Sequence, residues 1–341
     1  MSITRSIWFR SRKYSCILLV AIAYWLFIYI SRLKRENLHL KSQLSIENDR
    51  YSYFKSKSFN TSTNMCNHQI LLVIRTSKRT QSSRMPAILK TWFQFSPQTT
   101  YITTNGDLNI FHRDLPKQYH HQLHQTKCNQ SHTIHDLGCQ SASEFEIFFR
   151  LNKQYKWLCR FDDDQYVNVP LLIDYLAQFD PEREFLYIGK PSLTYPKQGR
   201  GLKFWFATYG GGICFSKALL ELIYDDIQPN ENFIRGCVAS NYPDDTHIAY
   251  ILQKKYNITL TVAQNFHHHI ERDLFVNQTS PSTIDQAITL GFKGNTVPRF
   301  MPLVDNDVYH MQTLHCLLYP NRECMRLTRI LLNKFYEEKH R

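Results

Sequence analysis

From Ile70 onward, short unbroken apolar runs alternate with stretches of helical character, and this alternation restricts the fold more than any other feature. Ile70-Leu-Leu-Val-Ile74 is apolar at every position, as in a strand buried on both faces of a parallel sheet. Arg84 to Phe95 reads as a helix and Thr99 to Thr104 as the next strand. Glu144 to Leu151 reads as a helix, and Trp157 to Phe161 as a strand ending at Asp162-Asp163-Asp164. Pro170 suits the first turn of a helix running to about Phe179, because its missing N–H is not needed there. Phe185 to Ile188 and Ile258 to Val262 complete the strands. The pattern predicts an α/β sheet covered by helices on both faces. In such sheets ligands bind beyond the carboxyl ends of strands, where the aspartate triplet stands.

Hydrophobic residues make up 43% of the chain and charged residues 21%, which excludes a disordered or fibrous protein. Lys and Arg number 41 against 29 Asp and Glu, a formal net charge of +12. That balance fits a nucleic-acid binder, a membrane-surface protein or an enzyme for anionic substrates. The positive charge forms no basic cluster or recognition module, so no nucleic-acid partner is expected.

Tyr14 to Ser31 carries no charge. Its length as a helix, about 27 Å, nearly matches the roughly 30 Å hydrocarbon core of a bilayer. Ser31-Arg-Leu-Lys-Arg35 follows in place of a small-residue cleavage site, so residues 14–31 are expected to be an uncleaved anchor. Residues 1–13 then form a cytoplasmic tail, 32–67 a polar stem and 68–341 the lumenal domain. Four Asn-x-Ser/Thr sequons, at Asn60, Asn129, Asn257 and Asn277, lie after the anchor, as do eight of the nine cysteines. None of those cysteines forms a zinc-type CxxC pair, which favours disulfides in an oxidising compartment.

Four clusters carry candidate chemistry. Three adjacent carboxylates at the end of an apolar strand repel one another, and suit Mg²⁺ or Mn²⁺ with the phosphates such ions bind; alone they also fit a solvated acidic turn. Asp244-Asp245 precedes the helical stretch Ile248 to Leu252 and reads either as a helix cap or as a general base. His267-His268-His269 reads either as a polar loop or as a source of one imidazole ligand, which would bias the metal toward Mn²⁺. Gly210, Gly211 and Gly212 hold three of only eleven glycines, behind the aromatic stretch Phe204-Trp205-Phe206. They permit close backbone approaches, and the aromatics suit stacking on a sugar ring. A buried hairpin corner is the plainer reading of that segment.

Together these clusters resemble a nucleotide-sugar glycosyltransferase. Gly189-Lys-Pro-Ser-Leu193, Phe204-Trp-Phe-Ala-Thr208, Phe266-His-His-His-Ile-Glu271 and Leu314-His-Cys-Leu-Leu-Tyr-Pro320 resemble the fringe family of β-1,3-N-acetylglucosaminyltransferases, over roughly His68 to Cys324. The resemblance implies a GT-A type fold with a mixed, mostly parallel sheet, and a type II membrane protein of the Golgi. It further implies Mn²⁺, UDP-GlcNAc as donor, and O-fucosylated EGF-like repeats of Notch-type receptors as acceptor. By the same resemblance Asp164 and His269 are metal ligands, Asp245 is the catalytic base, and Arg84 and Asp163 contact the donor. It also implies the disulfides Cys128–Cys139, Cys159–Cys214 and Cys316–Cys324, and leaves Cys66 and Cys237 unassigned. Arg160, Gln165, the Gly212-Ile213 step and Ala249 depart from the family pattern. Two alternatives remain: an inverting transferase that uses UDP-Gal or UDP-Glc, and an inactive membrane-anchored glycan-binding protein.

Overall fold

In the computed structural model, the described residues are 69–129, 131–151, 154–268, 286–291 and 311–319, with Ile284, Asp307 and Cys324. The chain divides into two units, Met1–Ser62 and Thr63–Arg341, and every described residue belongs to the second. The expected tail, anchor and stem, with Asn60, Cys66, His269 and Asn277, lie outside the described residues. No described helix is long and apolar enough to cross a membrane.

The strands, in chain order, are β1 (Ile70–Arg75), β2 (Thr100–Thr104), β3 (Leu123–Gln125), β4 (Trp157–Asp162), β5 (Gln165–Val167) and β6 (Tyr187–Gly189), then β7 (Lys197–Gly199), β8 (Leu202–Phe204), β9 (Ile213–Ser216), β10 (Thr261–Val262), β11 (Phe266–His267) and β12 (Thr289–Gly291). The helices are α1 (Gln81–Lys90), α2 (Ile134–Leu151), α3 (Val169–Leu176), α4 (Lys217–Leu222), α5 (Tyr224–Ile227), α6 (Asn230–Ser240), α7 (Asp244–Tyr256) and α8 (Met311–Leu318).

Seven strands form the main sheet in the order β10-β6-β9-β4-β1-β2-β3. Its pairs are parallel except those on either side of β9, which runs antiparallel to both β4 and β6. A second sheet, β11-β12-β5, and the hairpin β7-β8 complete the described strands. Side chains alternate across a strand with period two, so β1 feeds two separate cores. Ile70, Leu72 and Ile74 pack with residues of α1, α3 and α8; Leu71 and Val73 pack with those of α2, α6 and α7. Helices thus cover both faces, and β1 is buried along its whole length.

Several boundaries differ from the sequence reading. The first helix starts at Gln81 and stops at Lys90, and Trp92–Phe95 continues as a 3₁₀ turn. The second starts at Ile134 rather than Glu144, with Thr133 Oγ1 accepting from the Asp136 N–H at its start. The helix after Asn168 ends at Leu176, and the Asn168 side chain caps it by accepting from the Leu171 N–H at 3.3 Å. The strand expected over Ile258 to Val262 shortens to Thr261–Val262. Three disulfides are present among the described residues: Cys128–Cys139, Cys159–Cys214 and Cys316–Cys324. Cys159 and Cys214 are directly opposite one another on β4 and β9. Cys237 is buried as a free thiol.

Candidate active site

β1 and β4 run parallel, so Arg75 and Asp162 reach their carboxyl ends side by side. The loop after β1 leads into α1, and the loop after β4 carries Asp163 and Asp164. Asp163 is 4% exposed, and its two oxygens both accept from the segment that runs from the end of β1 into α1. Thr76 Oγ1 donates to Asp163 Oδ2 at 2.6 Å and Thr80 Oγ1 at 2.5 Å, while Arg84 Nη1 donates to Asp163 Oδ1 at 2.6 Å. The same Arg84 nitrogen lies 3.4 Å from Asp164 Oδ2. Three residues singled out in the sequence, Arg84, Asp163 and Asp164, therefore meet. Asp163 engages Thr76, Thr80 and Arg84 of the protein itself, and so fixes the Arg84 guanidinium at the end of the triplet.

Gln165 holds this loop from beneath. Its Oε1 accepts from the Asp162 N–H at 2.8 Å, and its Nε2 donates to the Gly210 carbonyl at 3.0 Å. The residue noted as a departure thus ties the aspartate loop to the glycines.

Period two places Arg75 on the same face as Leu71 and Val73, inside the second core. A guanidinium there requires carboxylates, and it has them. Arg75 Nε donates to Glu144 Oε1 at 2.6 Å and Nη2 to Glu144 Oε2 at 2.9 Å. Its Nη1 donates to Asp244 Oδ2 at 2.9 Å, and Nη2 to Ser141 Oγ at 2.6 Å. Burial alone would lower the Arg75 pKa, but Glu144 and Asp244 outweigh it and hold the group firmly protonated. Arg160, on the same face, extends the chain of charges. It donates from Nη2 to Asp162 Oδ1 at 2.7 Å, lies 3.4 Å through Nε from Glu144 Oε2, and covers the Tyr209 ring at 4.5 Å. Asp244, Arg75, Glu144, Arg160 and Asp162 therefore link the start of α7 to the aspartate loop.

Asp244 stands inside the first turn of α7, where its Oδ1 accepts from the Asp245 N–H at 3.0 Å. Its Oδ2 faces Arg75 and Ser141, and the cap position is Pro243, without a side-chain bond. Asp245 is next in the first turn of α7, half-buried. Burial first, and then the Asp244 charge, push its carboxyl up to about 7, against the opposing pull of Thr246 and Arg160. A carboxylate of that basicity suits proton acceptance near neutral pH.

Asp164 is raised similarly, to about 7, by burial and then by Asp162, with Arg84 opposing. A hard divalent cation beside that carboxylate would offset the repulsion, so the donor chemistry fits such an ion. Among the described residues, no three of His, Cys, Asp and Glu come together as a metal set. His269, the expected second ligand, lies outside them; its neighbours His267 and His268 are buried.

The glycine loop joins these parts. Tyr209–Gly211 is a 3₁₀ turn, and Gly212 follows at φ 84 and ψ 153, a conformation open essentially to glycine alone. The Thr289 hydroxyl donates to the Gly211 carbonyl at 2.6 Å and accepts from the His267 N–H at 3.0 Å. Lys190 Nζ stands 3.3 Å from His267 Nδ1. Sequence reasoning missed Thr76, Thr80, Glu144 and Thr289. Only Arg75, polar at the end of an apolar run, offered a signal. Of the sequons, Asn129 and Asn257 are exposed.

The Fringe-like family model matches residues 65–322. A zebrafish β-1,3-N-acetylglucosaminyltransferase lunatic fringe is 32% identical over 267 residues, 74% of this chain and 68% of that protein. Its human counterpart is 30% identical, with 74% and 67% covered. The fruit-fly fringe glycosyltransferase is 31% identical over 269 residues, and the match spans 62% of its length. Among solved structures, a galactosyltransferase in complex with donor and acceptor sugar analogues matches with a TM-score of 0.41, 10% identity, 75% of this chain and 98% of that one.

Proposed function

The chain belongs to the Fringe-like family, and on that premise we propose that it transfers N-acetylglucosamine from UDP-GlcNAc to the 3-hydroxyl of O-linked fucose, the acceptor being EGF-like repeats such as those of Notch-type receptors. The reaction is a single displacement with inversion on a GT-A type fold, carried out on the lumenal side of the Golgi membrane by a protein anchored through residues 14–31. The observation that carries this reading is the link between two acidic loops. Asp162-Asp163-Asp164 and Asp244-Asp245 are 80 or so positions apart in sequence, yet one chain of buried charges couples them.

Each residue then has a task. Asp245 accepts the proton of the acceptor hydroxyl as that oxygen attacks the anomeric carbon, and its raised basicity suits the step. Arg84, oriented by Asp163, receives the diphosphate, for which a planar guanidinium offers paired donors. Asp164 and His269 would hold a divalent cation, Mn²⁺ for preference given an imidazole ligand. That ion, when bound, supplies positive charge against the leaving UDP. No nucleophilic side chain is needed, because inversion requires a base and a stabilised leaving group.

The test is transfer by the full chain, purified in mild detergent, to an O-fucosylated EGF-like repeat, with UDP-GlcNAc, UDP-Gal and UDP-Glc compared, each with and without Mn²⁺. The reading expects product from UDP-GlcNAc with the ion present. Product from another donor would replace the donor assignment; UDP binding with no transfer or hydrolysis would favour a glycan-binding protein.

A further inference from the structure

Phe185 to Leu220 contains no carboxylate, in a chain with 29, yet it carries Lys190, Lys197, Arg200, Lys203 and Lys217. Lys217 is matched by Glu182 and Glu221, and Lys190 faces His267. The remaining three lie on the hairpin β7-β8, where no described carboxylate pairs with them. Arg200 and Lys203 are exposed, and Lys197 stands over the Tyr242 ring at 5.9 Å.

This hairpin is fastened against α6 and α7. Arg200, in the left-handed region at φ 53, donates from Nε to the Ser240 carbonyl at 3.0 Å and from Nη2 to the Ala239 carbonyl at 2.9 Å. A side chain at Gly199 would overlap the Tyr242 hydroxyl, and Phe204 packs edge-on against Tyr242 and at a tilt against Tyr250. The contacts of Arg200, and those with Tyr242, fall on the corner where α6 ends and α7 begins, just ahead of Asp245, and the contact with Tyr250 falls on α7 beyond it. The hairpin is thus a firm, positively charged ledge beside the base, flanked by two exposed aromatics, Tyr195 at 67% and Trp205 at 38%.

We propose that this ledge docks an acidic stretch of the acceptor polypeptide next to the sugar, so that the enzyme reads the protein as well as the glycan. The inference rests on the transferase reading above and adds the partner's chemistry to it. The positive charge steers and orients the acceptor, while Tyr195 and Trp205 supply apolar area with little conformational entropy to lose.

The experiment compares two acceptors bearing the same fucose, an aryl fucoside and an O-fucosylated protein domain with acidic side chains near the sugar, using the full chain. The ratio of kcat/KM for protein over fucoside is the readout. Lys203→Glu should lower that ratio about tenfold, since it removes one exposed attraction and installs a repulsion of like size. Lys203→Gln should lower it less, and an acceptor with its acids changed to lysine should restore it in Lys203→Glu. In the wild type the ratio should fall with salt, as the screening length shrinks from about 30 Å at 0.01 M to about 3 Å at 1 M. A ratio unmoved by substitution and by salt overturns the proposal. So does a ratio unchanged by Lys203→Glu while a water-soluble anionic lipid headgroup binds the wild type and not the variant, which would give the ledge to a membrane surface. Direct titration of the fucosylated domain separates the two readings. Salt-sensitive binding weakened by Lys203→Glu, with no transfer at all, keeps the ledge and removes the transferase; transfer with salt-insensitive binding does the reverse.

Discussion

Replacing Gly212 by alanine should damage both the fold and the nucleotide site, while the same change at Gly211 should be tolerated. Gly212 sits at φ 84 and ψ 153, where a Cβ costs about 1–3 kcal/mol in backbone strain. The new carbon would lie 2.7 Å from two carbons of the Phe161 ring and 3.3 Å from Thr289 Cγ2. Ordinary carbon contacts are about 3.5–4.0 Å, so the ring must move by about 1 Å. Phe161 is fully buried against Trp92, and forcing room in such a core costs about 1–3 kcal/mol more. The sum is roughly 2–6 kcal/mol, a large share of the roughly 5–15 kcal/mol that stabilises a typical protein. Phe161 also immediately precedes the aspartate triplet, so its displacement should weaken UDP binding in the presence of Mn²⁺. At Gly211 the nearest atom to an added Cβ is His268 Cβ at 3.3 Å, and no left-handed torsion is required, so the expected loss is under about 1 kcal/mol. Pulse proteolysis over a urea series compares the two variants with wild type. If Gly212→Ala loses less than about 1 kcal/mol, or Gly211→Ala loses as much as Gly212→Ala, the steric account is wrong.

Three further outcomes follow from the buried groups. Asp245→Asn should abolish transfer yet retain UDP binding, and the wild-type kcat/KM should rise with pH to a plateau above about 7, where Asp245 has ionised. The stability sign is opposite. Folding raises this carboxyl, so wild type loses stability as pH climbs from the ordinary carboxylate range through about 7, and Asp245→Asn should gain on it over that window; equal pH profiles would contradict the assignment. Arg75→Met should destabilise the fold by about 3–5 kcal/mol by leaving Asp244 buried without its cation and Glu144 with only the 3.4 Å contact to Arg160, read as a shifted urea midpoint. Cys237 is buried and its thiol pushed up by that burial and by Asp244, so site-resolved mass spectrometry should find it unlabelled by iodoacetamide until urea unfolds the chain.

Much of this architecture is visible in the sequence where one physical rule dominates. A central parallel strand such as Ile70–Arg75 is buried on both faces, so its apolar run is unbroken and easily found. The carboxyl end of Trp157–Asp162 likewise marks where the acidic loop lies. The first half of α2 escaped because its inner face is small and polar. Gly138 is there to let Cys237 approach, and Ser141 to meet Arg75 and Asp244, so no helical stripe of apolar residues announces it. The hairpin Lys197–Phe204 escaped because it contributes only Phe204 and the partly buried Leu202 to the core and is held chiefly by Arg200 and Tyr242. Asp244-Asp245 has a spacing that fits a helix cap equally well; only the register of Arg75, 169 residues away, assigns Asp244 to the core.

That register shapes how such a chain can diverge. Glu144 and Asp244 stand 69 and 169 positions from the arginine that neutralises them. A lineage that lost the arginine would pass through a protein with the Asp244 charge unanswered in its interior, even though an all-apolar trio of similar volume could fold as well or better. Drift at these positions must therefore arrive as a joint exchange or not at all, and the corner that presents Asp245 inherits that immobility.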